Sequence, residues 1–316
     1  MIRALANLGI LAKITGSSVP LLLVLAGIIV MSSLSMLRLE AGLGTVDGAW
    51  RGVSEAMSLE NDVLAMRTEV GHFLASGARD RLDAAGEKTR GIGALLEIKI
   101  ESAGDAAGRD ALAAARGALK DLVAKFGELA AQQQERDRIL REEVIAPAGA
   151  IEKTYAELMR SSYHEGDAAD AFYAGSAMAA LAAMRGAVQS YLQIGDREAG
   201  QHFEQGVKDM AEAAALVTAN SGSRFAKKQV EAAEKQRKTL AAGFADLVRA
   251  TERRDAATAA VNQKADTLVA ALNEYRRIVQ QAGEATATAA HAGARSAVMT
   301  NLAVALVGAL LALALA

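Results

Sequence analysis

Residues 65–79, AMRTEVGHFLASGAR, return 118 positions later as residues 183–197, AMRGAVQSYLQIGDR. In that alignment Ala65, Met66, Arg67, Val70, Leu74, Gly77 and Arg79 meet Ala183, Met184, Arg185, Val188, Leu192, Gly195 and Arg197, and Phe73 meets Tyr191. The same shift, without a gap, places Lys120, Leu122, Ala124, Phe126, Leu129, Arg136 and Asp137 on Lys238, Leu240, Ala242, Phe244, Leu247, Arg254 and Asp255. Two separated blocks sharing one offset point to an internal duplication. Each half then supplies two short helices and the start of a long one.

The composition around these blocks favours helix throughout. Alanine is extremely abundant, aromatic residues make up 4% of the chain and there are two prolines, which suits long helices far better than sheets. The expected fold class is all-α. A length of 316 residues allows one large or two ordinary domains. The formal net charge of −2 on a mixed surface provides no basic field for nucleic acid, which is excluded as a partner. With no cysteine there is neither a disulfide framework nor thiolate chemistry.

Helix breakers fall near Gly77, at 102–108, at 164–168, near Gly195 and at 219–223. They divide residues 38–296 into six helices, of which two, about 109–163 and 224–296, are much longer than the rest. The first of these would extend roughly 80 Å at the helical rise. Pro147 should kink or break it. Folded back and forth, the six helices give two stacked four-helix bundles that share the two long helices. Leu112, Leu119, Leu122, Phe126 and Leu129 in one long helix, and Val261, Leu268, Leu272, Tyr275 and Val279 in the other, carry the core spacing.

Two apolar segments flank this region. Residues 19–37 carry no charge and follow Arg3 and Lys13, which predicts a cytoplasmic tail over 1–14 and a first transmembrane helix over 15–37. A cleaved signal peptide is the alternative reading of that stretch. Residues 297–316 form the second expected span. Residues 38–296 would then be periplasmic, held at the bacterial inner membrane, with the cytoplasmic output expected outside this chain.

The core spacing fails at one place. Continuing from Leu240, Phe244 and Leu247 puts Thr251, Arg254 and Thr258 on the buried seam, and Gln133 and Arg136 follow Leu129 in the same register. A charge there needs a partner. A bound carboxylate held by arginine would supply it; a water-filled handover between bundles is the competing explanation. Arg67 and Arg185 flank the apolar stripes of their helices in both halves and are further candidates for ligand contact, against the simpler reading that they extend to solvent. Phe73, Tyr191, Phe126 and Phe244 read as core residues. The four histidines show no metal-ligand spacing, and no nucleophile elbow, phosphate loop or dinucleotide fingerprint occurs. The expectation is a protein that is not an enzyme and uses no cofactor or metal.

The two spans, the intervening segment and the duplication built on two long helices resemble the helical bimodular (HBM) sensor domain of bacterial methyl-accepting chemotaxis receptors. The resemblance covers nearly the whole chain. It implies stacked periplasmic bundles, a small carboxylate ligand and a homodimer. By position it assigns ligand contact to Arg67, Arg185 and Arg254. Leu64 departs from the family, since a second basic side chain is expected there. The alternatives are the ectodomain of a sensor kinase or cyclase, and a membrane-anchored helical interaction protein without a small ligand. In that last case the seam arginines would pair with internal acids and no pocket would open.

Overall fold

A computed structural model describes residues 10–196 and 198–315; the side chains of 10–24, 35, 38, 39, 41–43, 45, 308, 309 and 311–315 lie outside the description. Among the described residues every regular element is helical: α1 (Ile10–Ser76), α2 (Arg79–Ser102), α3 (Ala106–Ile139), a π-helical turn (Leu140–Ile145), α4 (Ala146–Glu165), α5 (Ala168–Ile194), α6 (Ala199–Asn220) and α7 (Arg224–Leu315). The all-α expectation holds, and the breaks fall where the breakers predicted them.

The duplication is visible in the element boundaries. Helices α1 and α5 end 118 residues apart, α2 and α6 end at the same offset, and α3 and α7 begin at it. Local chemistry repeats as well. Gly77 and Gly195 both adopt positive φ, +67° and +66°, and each donates its N–H back into the preceding turn, to Phe73 O at 2.7 Å and Tyr191 O at 3.0 Å. Glycine enters this left-handed conformation without the Cβ clash other residues meet, so it ends a helix cheaply. Asp105 Oδ1 accepts from Gly108 N at 2.6 Å, and its counterpart Ser223 Oγ accepts from Ala226 N at 3.3 Å. Both satisfy an otherwise orphaned N–H at the start of a long helix.

The long-helix assignment needs correction. The longest elements are α1, with 67 residues, and α7, with 92, because each continues from the central region into a terminal apolar segment. The expected helix over 109–163 runs without a gap through α3, the π-helical turn and α4, and the irregularity expected at Pro147 is that turn. Its cause is local: Pro147 has no N–H for the carbonyl four residues back, that of Glu143. Immediately before it, Ala146 N–H reaches five residues back to Arg141 O. The extra residue per turn takes up the mismatch without ending the helix.

Two compact units follow from the contacts. Unit 1 comprises Met1–Met66, Glu87–Leu119 and Asp266–Ala316, and unit 2 comprises Arg67–Gly86 and Lys120–Ala265. Unit 1 draws its core from four helices: Leu59, Val63 and Met66 of α1, Ile92 and Leu96 of α2, Leu112, Ala115 and Leu119 of α3, and Leu268 and Leu272 of α7. In unit 2, Val144, Ile151, Tyr155 and Leu158 pack with Leu181, Met184 and Val188 of α5, Phe203, Met210 and Val217 of α6, and Leu240, Phe244 and Leu247 of α7. Phe126, Tyr275 and Val279, expected in the core, are only half-buried.

Among the described residues α5 is long and apolar enough to cross a membrane. Its apolar face, however, carries Ala174, Ala177, Ala180, Leu181, Met184, Ala187 and Val188 into the unit 2 core, which accounts for its composition. The expected spans over 15–37 and 297–316 fall partly on side chains outside the description, as does most of the expected tail over 1–14. Their described parts present exposed large apolar side chains: Leu25, Ile29, Val30, Leu34 and Leu37 on α1, and Val298, Met299, Leu302, Leu306 and Leu310 on α7. Asn301 Nδ2 donates to Ser32 Oγ at 3.2 Å and ties the two stretches together.

Candidate functional site

The five arginine and threonine candidates separate into three places. The seam residues come together in unit 2. Gln133 is 3% exposed and Thr251 is also buried, while the Arg136 and Arg254 side chains keep only 12% and 21% of their surface. Each arginine takes the acid that follows it: Arg136 Nη1 donates to Asp137 Oδ1 at 3.0 Å, and Arg254 Nε donates to Asp255 Oδ1 at 3.0 Å. These pairs are equivalent under the duplication. Gln133 Nε2 also donates to Asp137 Oδ2 at 3.1 Å. Thr251 Oγ1 turns back to Leu247 O at 2.8 Å, as a hydroxyl inside a helix does.

The two arginines are close enough to repel each other. Burial, followed by the positive charge of Arg254, lowers the Arg136 pKa, while Asp137 and Asp255 act in the opposite direction. Two carboxylates balance two guanidinium groups, so the layer is internally neutral. Arg136 Nε and Gln133 Oε1 have no hydrogen-bond partner among the described residues.

Arg185 lies elsewhere, at the rim of a cavity of about 490 Å³ within unit 2. One wall is the π-helical turn, with Leu140, Val144 and Ile145, continued by Ala148 of α4. The opposite wall is α5, with Met184, Arg185, Val188, Gln189, Leu192 and Gln193; Phe203 and Leu240 complete the lining. The Arg185 guanidinium is 45% exposed and donates to Glu152 Oε2 at 2.6 Å, with Glu152 48% exposed. Phe203 stacks on Phe244 with ring centroids 4.1 Å apart. Phe244 in turn meets Tyr191 edge-on, and the Tyr191 hydroxyl donates to Val248 O at 3.4 Å. An aromatic run therefore leads from the cavity wall to α7 one turn before Thr251. Burial, then the charge of Glu252, raises the Tyr191 pKa.

Arg67 is in a third place, with Nη2 3.5 Å from Asn262 Oδ1; Leu64 beside it is exposed. Unit 1 has its own cavity of about 630 Å³, lined among others by Glu55, Lys99, Asp105 and Tyr275. Its lysine is already held, with Lys99 Nζ 2.5 Å from Glu55 Oε2. Among the described residues no group of three or more acids and histidines could hold a metal ion.

Sequence reasoning missed Gln189 and Gln193. Their signal was present, because Arg185, Gln189 and Gln193 follow one another at four-residue spacing and so share one helix face. The π-helical turn left no comparable mark beyond Pro147. No protein-family model and no curated protein matches the chain.

Proposed function

We propose that the chain is the sensory input region of a transmembrane chemoreceptor, a tandem of two four-helix bundles between two membrane spans that binds a small organic acid in the periplasm. The observation that carries this reading is the cavity in unit 2, where among the described residues Arg185, half-exposed and paired with Glu152, is the charged side chain of the lining. The exposed apolar stretches at the two ends, joined through Ser32 and Asn301, support the spans, since contiguous apolar surface of this kind needs a lipid or protein cover. Helix α7 runs unbroken from Arg224 to Leu315 and contributes Leu240 to the cavity wall. A ligand that binds two packings of that wall unequally would shift the helix and so transmit across the inner membrane.

Titration calorimetry of the full chain in detergent with a panel of carboxylates tests the reading. Saturable heat from at least one acid is expected, and silence from all of them removes the acid-sensing proposal. Topology is tested separately. The chain has no cysteine, so a single Glu165→Cys reports alone; a membrane-impermeant maleimide should label it in cells whose outer membrane is opened, and protection there would place this region on the other side.

The membrane-anchored interaction protein without a small ligand has one observation in its favour: Arg136 and Arg254 are paired with Asp137 and Asp255. The cavity at Arg185 is what that reading does not account for.

A further inference from the structure

The geometry points to a monocarboxylic acid with an apolar body as the ligand of the unit 2 cavity, its carboxylate taken by Arg185 and its body lodged against the π-helical turn. This rests on the acid-sensing reading and narrows it to one site and one ligand class. The cavity, about 490 Å³, lies within the range of roughly 300–1,000 Å³ that small-molecule pockets span. Its polar groups are on one side only: Arg185, Gln189 and Gln193 form a stripe along α5, while Leu140, Val144 and Ile145 face them from the π turn.

Charge decides the class. Among the described residues Arg185 is the one charged residue in the lining, so one carboxylate is matched. A second or third carboxylate would be driven against leucine, valine and phenylalanine, where an unpaired charge is costly. Glu152 already shows which group this guanidinium takes and in what contact, at 2.6 Å. That pair is about half-exposed on both sides and exposed pairs are weak, so a ligand carboxylate displaces Glu152 at little cost and gains a charge-assisted contact beside a drier wall. The two amides stand next along the stripe for the acid's remaining lone pairs. The π turn supplies the facing wall in a helix irregularity of the kind that recurs at functional sites.

The test is calorimetry on the full chain in detergent, with phenylacetate and hexanoate against acetate, succinate, citrate and the neutral phenylacetamide. Phenylacetate and hexanoate should bind and the others should bind at least tenfold more weakly. Arg185→Ala should weaken binding roughly tenfold to hundredfold, the loss of one hydrogen bond to a charged group. Glu152→Gln removes the internal competitor and should tighten binding severalfold, a gain that damaged folding does not produce. Gln189→Glu, at an exposed position, should weaken it, with circular dichroism confirming that all three variants fold.

Equal binding of phenylacetamide and phenylacetate, or binding untouched by Arg185→Ala and Glu152→Gln, overturns the assignment of Arg185. Preference for succinate or citrate, lost in Arg185→Ala, overturns the ligand class and leaves acid sensing standing. Heat from no acid overturns both this inference and the function on which it rests.

Discussion

Substituting Gly243 by alanine reverses the usual effect of adding a methyl group to a helix interior. Gly243 lies within α7, where alanine in place of glycine ordinarily stabilises by roughly 0.5–1 kcal/mol. Here a Cβ would overlap the carbonyl oxygen of Glu143 and approach its carbonyl carbon and its Cβ to 2.7 Å. Two of those three atoms belong to the backbone of the π-helical turn, so no side-chain rotation relieves the clash. Either α7 or the turn must move, and overpacking of this kind costs about 1–3 kcal/mol. The overpacking cost less the propensity gain leaves a net loss of up to about 2.5 kcal/mol, towards the upper end because the overlap is with backbone. Gly186 in α5 is the control, since a Cβ there meets nothing within 4 Å; Gly186→Ala should raise stability by about 0.5–1 kcal/mol. Thermal melting followed by far-ultraviolet circular dichroism should therefore move in opposite directions for the two variants, by roughly 2–4 °C per kcal/mol. If Gly243→Ala melts at or above the parent temperature, the close approach of α7 to the π turn is wrong.

Other outcomes follow from the same geometry. Gly77→Ala and Gly195→Ala should each destabilise by about 1–2 kcal/mol in melting experiments, because both positions sit near φ +67° and a Cβ is penalised there; Gly77→Ala should lose the more, since its Cβ would also meet Asp137 Oδ2 at 3.3 Å. Tyr155 is fully buried, and burial pushes its phenol up to about 12 from an ordinary 10.0. A raised pKa contributes stability that is complete below the unfolded value and disappears as pH rises through the folded one; chemical denaturation across that window should show a steeper alkaline loss for the parent than for Tyr155→Phe. Cysteines replacing Ser32 and Asn301 together should be bridged within one chain by a short thiol-reactive cross-linker, read as a gel-mobility shift, because Asn301 Nδ2 reaches Ser32 Oγ at 3.2 Å and no native thiol competes.

The parts of this protein legible in its sequence are those with local causes. Alanine abundance and three-to-four spacing dictate helix; Gly77, Gly195, Asp105 and Ser223 end or start helices through their own backbone and side-chain chemistry. Because those causes are local, a shift of 118 residues in the sequence reappears as a shift of 118 residues in the element ends. The buried seam was legible for the same reason, since Gln133, Arg136, Thr251 and Arg254 occupy positions where the helical period calls for apolar residues. Which groups neutralise that seam was not. Asp137 and Asp255 adjoin the arginines in sequence, yet whether an arginine folds back on its neighbour or reaches across a bundle depends on how much room the facing helices leave.

Tertiary structure alone decided the rest. The π turn lies beside Pro147, and Gly243 lets α7 lie close against its Glu143 backbone, a meeting of residues 100 positions apart. The cavity is the space left between that turn and α5, and Arg185 belongs to it while Arg136, Arg254 and Arg67 do not. The helical period set Arg136 and Arg254 on the seam and Arg67 and Arg185 on the flank of their stripes, but it records only the face a side chain occupies. What stands opposite that face is set by packing between distant segments, and it separates a buried seam, where each arginine pairs with the acid beside it in sequence, from a half-exposed arginine paired with Glu152 at the mouth of a pocket.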